Sequence, residues 1–113
     1  VLSKTHRFHG LGSLNHVYRK GATLRSPYCA IRFYPGKQDE YRVAVVVSKK
    51  VAKSAPDRNR IRRRVYEAVR HNDKLLTNQD LVITIFDNRF LDMPYAELED
   101  SIKRQLKQIT RRT

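Results

Sequence analysis

The chain has 113 residues, 40% of them hydrophobic, with 24 Lys and Arg against 11 Asp and Glu for a formal net charge of +13. That length implies one domain, residues 1–113, able to bury about two-thirds of its unfolded surface without staples. A lone cysteine, Cys29, excludes an internal disulfide, no apolar run nears the ~18–20 residues of a membrane span, and the expected compartment is the cytoplasm. So large a positive charge favours a polyanionic partner, nucleic acid ahead of an acidic protein or an anionic membrane.

Residues Val1 to Gly12 read as a basic, irregular lead-in carrying His6, Arg7 and His9. Ser13 can cap a short helix with Leu14, Val17 and Tyr18 at helical spacing, and Gly21 is expected to supply a left-handed stop. Tyr28 to Phe33 alternates, with Tyr28, Ala30 and Arg32 on one side and Cys29, Ile31 and Phe33 on the other. Tyr41 to Ser48 alternates again, and the short connection between the two runs predicts an antiparallel pair.

The stretch from Ser48 to Arg70 carries nine Lys or Arg against two acids. Ser54 and Asp57 have the spacing of a capping box, and Pro56 suits a first turn, so a helix is predicted from about Ala55 to His71. Its apolar stripe is Ile61, Val65, Ala68 and Val69, with Arg58, Asn59, Arg60, Arg62, Arg63 and Arg64 around the rest. Arg58 with Arg62 and Arg60 with Arg64 are like charges one turn apart, each pair costing roughly 0.2–0.5 kcal/mol, a repulsion that a polyanion would relieve.

A polar turn is predicted at Thr77-Asn78-Gln79-Asp80, then a fully apolar, central strand from Leu81 to Phe86 and a loop from Asp87 to Pro94. The last helix, about Pro94 to Arg111, places Tyr95, Leu98, Ile102, Leu106 and Ile109 on one stripe.

There is no phosphate-loop pattern, which excludes nucleotide hydrolysis, and His6, His9, His16 and His71 lack metal-ligand spacing. The acids are too scattered for a metal-assisted nuclease site built by this chain alone. Aromatics interleave with bases at Tyr18-Arg19-Lys20, Tyr28 and Arg32-Phe33-Tyr34, the mixture that stacks bases while neutralising phosphates.

Arg58-Asn59-Arg60-Ile61-Arg62-Arg63, preceded by Val46-Val47-Ser48-Lys49-Lys50-Val51, resembles the protein component of bacterial ribonuclease P. Supporting matches are His6-Arg7, Val17-Tyr18-Arg19-Lys20-Gly21 and Tyr95-x-Glu97-Leu98, so the resemblance spans nearly the whole chain. It implies an α+β fold, an α-β-β-β-α-β-α two-layer sandwich like a ribosomal-protein domain, with a left-handed βαβ crossover; the strand reading above finds only two of the three early strands.

It also implies a holoenzyme subunit that does no bond chemistry. The catalytic RNA cleaves the 5′ leader from precursor tRNA, leaving a 5′-phosphomonoester and using magnesium, and the protein itself binds no cofactor. By the match, Arg58, Asn59, Arg60, Arg62 and Arg63 contact the catalytic RNA, Lys49, Lys50 and Lys53 extend that patch, and Leu14, Tyr18, Tyr28 and Arg32 line the cleft for the leader. Leu14 stands where the family usually has Phe. The competing readings are a ribosomal-type RNA-binding protein without a processing role and an autonomous nuclease.

Overall fold

Leu81, Val82 and Ile83 are wholly buried, and a strand with apolar side chains covered on both faces has to lie inside a sheet. The computed structural model, which describes residues 17–36 and 40–112, places it there. The helical residues 17–20, here α1, lead into β1 (Ala22–Arg25), β2 (Cys29–Pro35), β3 (Arg42–Val47), α2 (Ala55–His71), β4 (Gln79–Ile85) and α3 (Tyr95–Arg112). Single 3-10 turns stand at Asp73–Leu75 and Asn88–Leu91. The fold is mixed α+β in the anticipated element order. The readings of Val1 to Gly12, of Ser13 as a cap, and of Leu14 and His16 lie outside the described residues.

The sheet order is β1-β2-β4-β3. β4 pairs antiparallel with β2, Ile31 opposite Ile83, and parallel with β3, Val45 opposite Ile83, so α2 is the crossover between two parallel neighbours. This corrects the predicted β2–β3 hairpin, because β4 is inserted between those strands. It also adds β1, which pairs antiparallel with β2 through Leu24 opposite Ile31.

One face of the sheet builds the core. Cys29, Ile31, Phe33, Val43, Val45, Val47, Leu81, Ile83 and Ile85 meet Ile61, Val65, Ala68 and Val69 of α2 and Leu98, Ile102, Leu106 and Ile109 of α3. Each large aliphatic side chain fully buried contributes about 1.5–3 kcal/mol. The Tyr66 hydroxyl accepts from the outward amide of Val45 at 3.2 Å, which covers part of the edge strand β3.

Three local expectations change. Gln79 and Asp80 open β4 instead of forming a turn, and both are buried, Asp80 in a bidentate ion pair with Arg42 at 2.7 and 3.0 Å. The segment read as a loop holds Phe90, fully buried in the core by the Asn88–Leu91 turn. Gly21 has no left-handed backbone; it is glycine because a Cβ there would stand 2.6 Å from the Val17 carbonyl oxygen and 2.9 Å from that of Phe33.

The opposite face is partly covered by α1. Val17 and Val82 are fully buried yet stand apart from the main core, and Arg32, which neighbours Val82 across β2 and β4, donates to the carbonyls of Tyr18 and Gly21. Beyond α1 this face is floored by the half-buried Ala30, Thr84 and Val46.

Candidate nucleic-acid interface

The predicted cap is present: Ser54 accepts from the Asp57 amide at 3.2 Å, with Pro56 in the first turn, and the apolar stripe of α2 faces the sheet. That orientation turns the basic residues outward. The structure then divides cations that the sequence presents as one row.

Arg64 is a fastener. Its guanidinium donates to the carbonyls of Phe90 and Leu91, each at 2.8 Å, and to that of Met93, so it gathers the exposed C-terminal carbonyls of a 3-10 turn. Burial, and after it the charge of Arg60, pushes its pKa down from the usual arginine value. Arg60 donates through Nε to the same Leu91 oxygen at 3.1 Å. Arg58 folds back on the loop before its own helix, donating to the carbonyls of Ala52 and Lys53 at 3.0 and 2.9 Å. The like-charge strain predicted along α2 is thus met in part by backbone carbonyls.

Arg62 donates to the side-chain oxygen of Asn59 one turn earlier, which orients both groups on the exposed side of the helix. The side chains of Arg63, Lys49, Lys50 and Lys53 are exposed and, among the described residues, form no hydrogen bond or ion pair. The three lysines follow from local structure: a turn closed by the Val51 and Ala52 amides on the Ser48 carbonyl, at 3.1 and 3.3 Å, packs Val51 and Ala52 inward and leaves the lysines outside. The cations expected to contact RNA therefore form a band from the end of β3 along α2. Its free charges are Lys49, Lys50, Lys53 and Arg63, and Arg58 and Arg60 are already anchored.

The residues expected to line a leader cleft are not all together. Tyr18 is 37% exposed on α1 above the open sheet face. Arg32 lies beneath it, held by Thr23 Oγ1 at 2.9 Å and by the carbonyls of Tyr18 and Gly21, so it anchors α1 to the sheet. Tyr28 does not share their surface. It precedes β2, its ring lies 5.0 Å from that of the buried Phe90, and the Arg89 guanidinium covers it at 4.7 Å. The alternation that was to pair Tyr28 with Arg32 begins only at Cys29, because Ser26 makes a turn whose hydroxyl accepts from the Tyr28 and Cys29 amides at 3.3 and 3.2 Å. Leu14 lies outside the described residues.

One exposed aromatic was missed. Phe86 is 45% exposed at the end of β4, and together with Tyr18 it makes up the exposed large hydrophobic residues described. The signal was present in the alternation of Val82, Thr84 and Phe86 against Leu81, Ile83 and Ile85, which a reading of the whole run as core obscured.

Among the described residues no three His, Cys, Asp or Glu side chains gather as metal ligands would. The Cys29 thiol is buried, donates to Gln105 Oε1 at 3.1 Å, and is pushed up to about 11 chiefly by burial, the reverse of what a nucleophile needs. The arrangement offers charge and stacking surface.

The family model for ribonuclease P matches residues 2–110 of the chain. The ribonuclease P protein component of Chloroflexus aurantiacus is 33% identical over 108 residues, 95% of this chain and 79% of that protein. That of Synechococcus elongatus is 34% identical over 113 aligned positions, 92% of this chain and 93% of that one. Among solved structures, the fold is shared with the RNase P protein of Staphylococcus aureus, with a TM-score of 0.82, 22% identity and coverage of 94% of this chain and 96% of that one. The RNase P protein from Thermotoga maritima superposes with a TM-score of 0.77 at 22% identity, covering 84% and 89%.

Proposed function

The chain belongs to the ribonuclease P protein family, and from that premise we propose that it is the protein subunit of a ribonuclease P, binding a catalytic RNA and the 5′ leader of precursor tRNA together. The single observation that carries this reading is the continuity of two surfaces. The cation band of Lys49, Lys50, Lys53 and Arg63 begins where β3 leaves the sheet, beside the open face that carries Tyr18 and Phe86.

In this reading Asn59, Arg62 and Arg63 meet the phosphates of the catalytic RNA, with Arg58 and Arg60 adding charge from anchored positions. The lysines bridge the two RNAs. Neutralised phosphates let a folded RNA and a single strand approach without so many magnesium ions, and the aromatic side chains hold the strand by stacking, which any base sequence permits. Bond cleavage is the work of the catalytic RNA and its magnesium. Among the described residues, the carboxylates of Asp80, Glu67, Asp87 and Asp100 are each paired with an arginine.

The test is reconstitution with a bacterial ribonuclease P RNA. At a magnesium concentration where that RNA alone is inactive, adding the protein should restore cleavage at the 5′ end of the tRNA, while the protein alone should cleave nothing. Cleavage by the protein alone would favour a nuclease, and RNA binding without any rescue would favour a ribosomal-type protein.

A further inference from the structure

Phe86 lies outside the hydrophobic core described above. The backbone around it is still extended: its amide donates to the Tyr28 carbonyl at 3.1 Å, continuing the β2–β4 ladder one residue past Cys29 opposite Ile85. Since Ile85 points into the core, Phe86 points to the open face. There it is 45% exposed and belongs to no apolar cluster.

A singly exposed apolar residue is ordinary; its position is what gives this one meaning. The parallel register sets Val47 beside Ile85, so Ser48 runs next to Phe86 and Lys49 and Lys50 follow directly. On the other side, Tyr18 stands over the row containing Arg32 and Val82, four residues back along β4, or about 13 Å at a strand's rise. Between the two aromatic residues the floor is Ala30, Thr84 and Val46, side chains too small to obstruct a ligand. The result is a strip of sheet about 13 Å long with an aromatic residue at either end, and with the exposed Lys49 and Lys50 at the Phe86 end.

We infer that Phe86 is a stacking platform for a base of the single-stranded 5′ leader, seated nearer the catalytic RNA than the base held at Tyr18. This rests on the leader-binding reading above and adds a residue and a direction to it. Charge complementarity selects RNA over a protein partner, since an apolar protein surface would have to bury Lys49 and Lys50 unpaired. The direction follows from the reading of the cation band as the contact with the catalytic RNA: the Phe86 end adjoins that band, so a leader crossing the strip meets Phe86 first on its way out from the cleavage site and Tyr18 later.

The experiment uses the holoenzyme assembled with a bacterial ribonuclease P RNA, titrated with leader-bearing precursor and with mature tRNA. Phe86→Ala should weaken precursor binding about five- to tenfold, the lower end of one base–aromatic stack, and leave mature tRNA unchanged, with Phe86→Tyr restoring affinity. Shortening the leader from its 5′ end should abolish the effect of Tyr18→Ala before that of Phe86→Ala. The chain has no tryptophan, so Phe86→Trp introduces a unique fluorophore whose emission should be quenched by precursor and not by mature tRNA. If wild-type holoenzyme binds both RNAs equally, the leader reading itself falls. If it discriminates and Phe86→Ala discriminates equally well, with no quenching of the tryptophan variant, the platform is refuted and the leader reading stands.

Discussion

Arg64 donates to the Leu91 carbonyl at 2.8 Å and is half-buried, whereas Arg63, its neighbour in sequence, is exposed and touches no polar partner among the described residues. Two adjacent arginines on one helix therefore divide between holding the protein together and being available to a ligand.

Arg64→Ala should accordingly destabilise the fold by about 2 kcal/mol, since it leaves the Phe90 and Met93 carbonyls without their charged donor and the Leu91 carbonyl to Arg60 alone. Arg63→Ala should stay within about 0.5 kcal/mol of wild type in a urea melt. Binding to ribonuclease P RNA should show the reverse order, with Arg63→Ala lowering affinity and reducing the salt slope by about one. Equal melting midpoints for the two variants would remove the distinction.

This division was not legible in the sequence, where Arg58 to Arg64 is a uniform basic run. The helix itself was legible because its determinants are local: the Ser54 cap, Pro56 and the stripe of Ile61, Val65, Ala68 and Val69. Which guanidinium finds a carbonyl depends on the Asn88–Leu91 turn some thirty residues away. The same limit explains the sheet. Consecutive strands pair about two-thirds of the time, so a β2–β3 hairpin was the reasonable expectation. What overrides it is β4, whose two apolar faces require neighbours on both sides, and whose Asp80 takes Arg42 as partner across the β3–β4 pair. β1 was missed because four residues, Ala22–Arg25, are too few to show alternation; Thr23 is recognisable as a strand residue only through its place opposite Arg32.

The Arg42–Asp80 pair is almost sealed, with side-chain exposures of 15% and 7%. Removing one partner strands a buried charge, so Asp80→Ala should lower stability by about 3 kcal/mol, while the exposed Asp100 paired with Arg104 should change it by less than about 0.5 kcal/mol on the same substitution. Gly36→Ala should also destabilise, because its Cβ would fall 2.5 Å from the Asn78 carbonyl oxygen and 2.8 Å from Asp80 Oδ1. Denaturant melts of the three variants read this directly.

Cys29 gives a pH dependence with a definite sign. The folded thiol is pushed up to about 11, whereas an exposed cysteine in the unfolded chain ionises near 8.5. Below about pH 8.5 both states are neutral and the native preference for the thiol form contributes in full; as pH rises from there through 11, the unfolded chain ionises first and stability is lost. Wild type should therefore lose stability across that window more steeply than Cys29→Ala, although the variant starts lower for want of packing. A thiol reagent at pH 8 should label the native chain only as fast as it opens. Rapid stoichiometric labelling without unfolding would contradict the burial.

Lys49, Lys50 and Lys53 are the clearest test of the electrostatic part of the reading, because their side chains are exposed, without polar partners among the described residues, and grouped. Replacing all three with Ala should leave the melting midpoint nearly unchanged. If about six phosphates are neutralised in the wild-type complex, affinity for the RNA should fall on the order of a thousandfold between 50 and 200 mM salt. Without the lysines about three phosphates remain, the slope is roughly halved, and the same salt change should weaken binding only some tens of times. The comparison isolates charge from shape, since a variant that merely distorted the site would lose affinity at every salt concentration with the slope preserved. A preserved slope would place the phosphate contacts elsewhere and detach the band at the end of β3 from the RNA interface.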